Sequence, residues 1–222
     1  MKIRTLQLAA IMAAGLVGAW SASATVSVTL DSVSPNQIVV VNGSSAYAGV
    51  YNLTVGGIGA VPSFCIDVAH GFDVGQTFNG FSTVPLASAP NSPAGPMGAS
   101  AANTIEGLWG TYYTPGIGAS DAAALQVAIW MAVDGGNNPG SVPLVFGADA
   151  TTQAAVTEAN TMLGSISTYA QLYGLVGTAT PNGDSQSFVV PVPEPTTVIA
   201  GLLLLLPLGA STLRIIRRNR MA

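Results

Sequence analysis

The sequence predicts an α+β protein: a β-rich sandwich or barrel with a packed helical subdomain, plus an N-terminal signal helix and a C-terminal transmembrane helix. Three observations carry this reading. Alternating and β-branched stretches bounded by Gly and Pro fill residues 25–86 and return at 186–192. Stretches rich in Ala, Leu and Met, with capping residues ahead of them, lie between. Both ends carry long apolar runs beside basic residues.

Residues 1–24 have the pattern of a secretory signal: Lys2 and Arg4, an apolar run from Leu6 to Trp20, then Ala22-Ser23-Ala24 as a small-residue cleavage site. The exported body, residues 25–190, is long enough to bury a real core. All six basic residues (Lys2, Arg4, Arg214, Arg217, Arg218, Arg220) lie in the terminal segments, and all ten acidic ones lie between Asp31 and Glu194. A body without lysine or arginine has no cations to release counterions from phosphates, which excludes nucleic acid as a partner.

Val26, Val28 and Leu30 alternate, Ile38 to Val41 form a β-branched run after Pro35-Asn36, and Tyr51, Leu53 and Val55 alternate again before Gly56-Gly57. Three or four short strands are therefore expected. Ser63-Phe64-Cys65-Ile66-Asp67 continues the pattern, with Phe64, Ile66 and Val68 on one face and Ser63, Cys65 and Asp67 on the other. Phe72 to Leu86 reads as a further strand pair around Gly75 and Gly80, and the prolines of Ala87 to Pro96 as a loop.

A short helix is expected from Ala99 to Trp109, ending before Gly110, with Trp109, Tyr112 and Tyr113 either sealing its packing, the favoured reading, or lining a groove. The next helix runs from Asp121 to Asp134, with Ser120 or Asp121 as cap and Gly135 just past the end. Asp134 to Gly140 lacks the spacing and closing Glu of a calcium loop and reads as a turn, so no metal or other cofactor is expected. Asp149 caps a helix from Ala150 to Leu163, a second short helix is expected from Ile166 to Tyr173, and Gln186 to Val192 is the last strand.

Within the Asp121–Asp134 helix everything except Gln126 is apolar, so the helix is enclosed and Gln126 is buried. A buried amide needs partners for two donors and an acceptor, or it costs about 1–3 kcal/mol. One chemical partner exists, the single cysteine, Cys65. A thiol that attacked the Gln126 side-chain carbonyl and expelled ammonia would leave an internal thioester. A lone cysteine in an exported chain has no intramolecular disulfide partner, although a small buried core thiol is the plain alternative. His70, the only histidine, lies nearby in sequence. No nucleophile signature surrounds Cys65, and a cysteine hydrolase using the two is the least favoured reading.

At the C-terminus, Pro193-Glu194-Pro195 precedes the apolar run Val198 to Leu213, which Pro207 interrupts, and then Arg214, Arg217, Arg218 and Arg220. This is a hydrophobic span with cytoplasmic arginines behind an extended, accessible Pro-Glu-Pro. Residues 191–222 resemble the PEP-CTERM sorting signal of Gram-negative bacteria in all three parts. That resemblance implies recognition by an exosortase-type membrane protease, transient anchoring in the membrane through the C-terminal helix, and delivery to the cell surface or a biofilm matrix.

The body resembles the thioester domains of bacterial surface adhesins. It carries their aromatic-Cys-aliphatic stretch as Phe64-Cys65-Ile66 and their later Gln motif as Leu125-Gln126-Val127-Ala128-Ile129-Trp130. That family often has Thr before the Gln and Tyr after the Cys, where this chain has Leu125 and Ile66. The resemblance implies a Cys65–Gln126 cross-link in a pocket of Phe64, Ile66 and Trp130. It also implies a surface ligand bearing an amine or hydroxyl, or an exopolysaccharide, bonded covalently rather than turned over as by an enzyme. The alternative is a structural matrix or envelope protein without the cross-link.

Overall fold

The computed structural model describes residues 25–91, 95–134, 143–177 and 185–192, and all but Val192 belong to one compact unit within Met1–Pro191. The expected signal helix, the sorting signal with its membrane span, and the turn after Asp134 lie outside the described residues. Among the described residues no helix is long and apolar enough to cross a membrane.

Strands β1 (Val26–Val41), β2 (Ser44–Val55), β3 (Gly59–Cys65), β4 (Thr77–Pro85), β7 (Leu172–Gly177) and β8 (Phe188–Pro191) close into an antiparallel barrel in the order β1-β2-β3-β8-β7-β4. A two-residue ribbon, β5 (Pro90–Asn91) with β6 (Gly95–Pro96), leads to three helices, α1 (Gly98–Tyr112), α2 (Ala119–Asp134) and α3 (Ala150–Leu163). The α+β class is thus as expected. α3 keeps its expected bounds, and Asp149 caps it by accepting a hydrogen bond from the Thr152 N–H.

Several elements differ from expectation. Val26–Val41 is one long strand, not two: register irregularities between Leu30 and Ser32 and between Val33 and Asn36 absorb Pro35 without ending it. β1 turns into β2 through Asn42-Gly43, both at positive φ, the two-residue turn whose twist matches a hairpin. Residues 72–86 hold one strand, β4, which runs through Gly80, rather than a strand pair. Residues 166–173 are not a helix: Leu172 begins β7, which fills the gap between β4 and β8. Closure of the ring outweighs the local pattern there, since strand preference is set by the neighbours a strand pairs with. Residues 25–86 and 186–192 therefore do not hold all the barrel strands.

α1 also continues past Gly110 to Tyr112. A Cβ on Gly110 would lie 2.7 Å from both the Ala170 N and the Tyr169 C, and 2.8 Å from the Thr168 O. This glycine is thus a point of backbone contact, not a helix stop. On a free helix Gly→Ala gains about 1 kcal/mol. Here Gly110→Ala should instead lose about 1–3 kcal/mol through overpacking, read as the shift in urea midpoint.

The core continues from the barrel into the helices, and α2 lies at the junction, touching β1, β2 and β3 as well as α1 and α3. Every residue from Ala122 to Trp130 is buried. That enclosure is the all-round apolar helix read from the sequence.

Candidate functional site

β3 ends at Cys65, and the way it ends creates the site. Its pairing with β2 stops at Tyr51↔Ser63, where the Ser63 hydroxyl donates to the Tyr51 carbonyl, while on its other side Cys65 lies opposite Phe188 of β8. The next amide, Ile66 N–H, donates to Ser187 O at 3.0 Å on the β8 side. Cys65 presents its own N–H and C=O to α2, where Gln126 stands in for a strand. Cys65 N–H donates to Gln126 Oε1 at 2.9 Å, and Gln126 Nε2 donates to Cys65 O at 2.7 Å. Both residues are 0 % exposed. The residues singled out in the sequence, 61 positions apart, are thus in direct contact.

The sulfur has other partners. The Cys65 thiol donates to Asp67 O at 3.0 Å, Asp67 N–H donates to the sulfur at 3.2 Å, and Gln186 Nε2 donates to it at 2.7 Å. Gln186 comes from the segment entering β8 and is itself buried. The Trp130 indole, one helical turn after Gln126, faces the sulfur closely enough to favour its charged form, yet its N–H has no hydrogen-bond geometry to any atom. Burial outweighs these donors and pushes the Cys65 thiol up to about 12. At neutral pH it is a protonated thiol with no solvent exposure.

By strand alternation Phe64 and Ile66 lie on the face opposite the sulfur. Phe64 there meets Trp109 and Tyr113 edge-on, with ring centroids at 5.3 and 5.8 Å, so the aromatic cluster seals the core beneath the site. Trp130 alone of the three expected pocket residues faces the sulfur.

Asp67 turns the chain outward. Its carboxylate accepts from Ala69 N–H at 3.1 Å and meets His70 Nδ1 at 2.7 Å, so the histidine belongs to a structured turn beside the thiol. At the end of α2, burial first and the nearby Asp67 carboxylate second push Asp134 up to about 6. A carboxyl whose folded pKa exceeds its unfolded one binds protons more tightly when folded. Its stabilising contribution is therefore complete below the ordinary value of 3.8 and is lost as pH rises through about 6. Asp134→Asn should then raise Tm relative to wild type at pH 7, with the gain shrinking to nothing near pH 4. Equal gains at both pH values would contradict this.

Gln186 is the site residue that sequence reasoning missed. The sequence places it only as the first residue of an expected strand from Gln186 to Val192, whereas β8 begins at Phe188 and Ser185, Gln186 and Ser187 ahead of it are all buried. Among the described residues no group of three or more His, Cys, Asp or Glu side chains is placed to hold a metal.

The fold and site define an α+β barrel protein with a buried cysteine braced by two glutamines. Compared with family models, curated proteins and solved structures, the chain finds no match.

Proposed function

We propose that the protein is an exported surface or biofilm-matrix component whose body forms a Cys65–Gln126 thioester and uses it to bond covalently to a ligand amine or hydroxyl. The observation that carries this reading is the reciprocal pair of hydrogen bonds between the Gln126 carboxamide and the Cys65 main chain. The Cys65 N–H holds Oε1, the oxygen on which charge builds when a nucleophile adds to the side-chain carbon, and a preorganised donor there is a large rate term. The Cys65 carbonyl holds Nε2, the nitrogen that leaves.

Formation is balanced without any co-reactant. The sulfur bonds to the Gln126 side-chain carbon, the carbon–nitrogen bond breaks, and the thiol proton leaves with the nitrogen as ammonia. In attachment, a ligand amine or hydroxyl adds to the same carbon and the sulfur leaves as thiol. A binding surface that holds the ligand in place supplies much of the rate by proximity. The dry, apolar surroundings slow hydrolysis.

A second reading is favoured by the same hydrogen bonds: the amide is fully occupied as an ordinary strand substitute, in a structural matrix or envelope protein that makes no cross-link. The intact mass of the purified protein separates the two, since the thioester form is lighter by one ammonia. A cysteine hydrolase fits poorly, because burial raises the thiol instead of exposing a reactive thiolate.

Sorting enters through the tail. Pro193-Glu194-Pro195, the span and the cluster of Arg214, Arg217 and Arg218 would be read by an exosortase-type protease, with cell-surface or matrix delivery in a Gram-negative bacterium. A C-terminal tag should accordingly be lost from the body during export. Its retention with the body in the membrane fraction would instead indicate a permanent anchor.

A further inference from the structure

Two N–H groups donate to one buried sulfur, and a third lies beside it. Gln186 Nε2 lies 2.7 Å from Cys65 Sγ, Asp67 N–H lies 3.2 Å from it, and the Trp130 indole N–H, fully buried and without a hydrogen-bond partner, faces it. The Gln186 amide is oriented by more than the sulfur, since its Nε2 also lies 3.4 Å from Asp67 O and the amide borders the Tyr51 hydroxyl, itself bound to Tyr47 O at 2.9 Å. A neutral thiol needs one acceptor for its proton, and Asp67 O provides it. Two well-placed donors and an idle third are more than a thiol requires. They match a sulfur that carries negative charge.

We propose that Gln186 is a catalytic residue for acyl transfer from the thioester, donating to the Cys65 sulfur as it leaves, with Asp67 N–H and the Trp130 indole completing a thiolate-stabilising site. This role rests on the thioester reading above. When a ligand amine adds to the Gln126 side-chain carbon, the carbon–sulfur bond breaks and its electron pair goes to sulfur. The proton that the amine loses then restores the thiol. A thiolate formed in a buried core without donors would be strongly disfavoured, and Gln186 Nε2 and Asp67 N–H already donate to the sulfur where that charge appears. Cys65 N–H serves the oxygen end of the same reaction. The site thus has separate donors for the oxyanion and for the leaving group.

The test compares wild type with Gln186→Met, which keeps an unbranched side chain of similar length and removes the donor. Both are purified as the exported body, checked for equal folding by circular dichroism, and treated with methylamine, with the adduct followed by intact mass and mapped by peptide sequencing. The expected result is methylamine on Gln126 in both, with the rate in Gln186→Met lower by about tenfold or more. A merely structural role predicts the opposite sign, because a loosened core admits amine faster. A thioester present in both proteins with rates equal within error, or faster in the variant, overturns the role of Gln186 alone. Methylamine on Gln186 itself also overturns it, making that residue the acyl group. Absence of a thioester from wild type overturns the covalent reading and this role together.

Discussion

In the uncross-linked amide form, which keeps both main-chain hydrogen bonds, Gln126→Ala is expected to cost about 3–6 kcal/mol of folding stability, the largest effect of any single substitution in the site. Truncation leaves both the N–H and the C=O of Cys65 buried and unpaired, since β2 has already diverged at Tyr51 and no other strand reaches them. Each orphaned group costs about 1–3 kcal/mol, and the void left in α2 adds to that. Against a typical total of about 5–15 kcal/mol, such a loss brings the protein close to unfolding. Denaturant titration measures it. A loss below about 1 kcal/mol would mean that Gln126 does not complete the barrel wall as described.

Cys65→Ala separates chemistry from stability. The substitution keeps the main chain of residue 65 and hence both hydrogen bonds to Gln126, while it removes the sulfur that Gln186 and Asp67 address. Relative to the amide form, its stability cost should be only about 1–3 kcal/mol, from two donors that lose an acceptor and a small void, and loss of the cross-link adds to this where the thioester has formed. Covalent capture of methylamine should vanish completely. If capture persisted in Cys65→Ala, the acyl chemistry would belong to another residue. The contrast between the two variants is informative because one group holds the wall closed and the other holds the reactivity.

The sequence reading reached the central contact because burial of Gln126 follows from local pattern alone. A helix with no polar face other than one amide leaves that amide inside, and a single cysteine on a strand with a second buried face is its natural counterpart. The same logic placed α3, whose Asp149 cap is a local device. It failed where the deciding partner is distant in sequence. Residues 166–173 carry a helix-like pattern and become β7 because β4 and β8 need a strand between them. Gly110 resembled a helix stop and instead marks where the chain near Ala170 crosses α1. Asn42-Gly43 is a strong local hairpin signal, and it is where β1 turns into β2. Gln186 carries no local signature: only the closing of β8 against β3 brings it to the sulfur.

The most direct measurement is the intact mass of the purified body before and after methylamine, with peptide mapping of the adduct. The account predicts a starting mass short by one ammonia, a gain of one methylamine per chain, and the label on Gln126 with Cys65 released as a free thiol. A folded protein of full sequence mass that takes up no methylamine would contradict it.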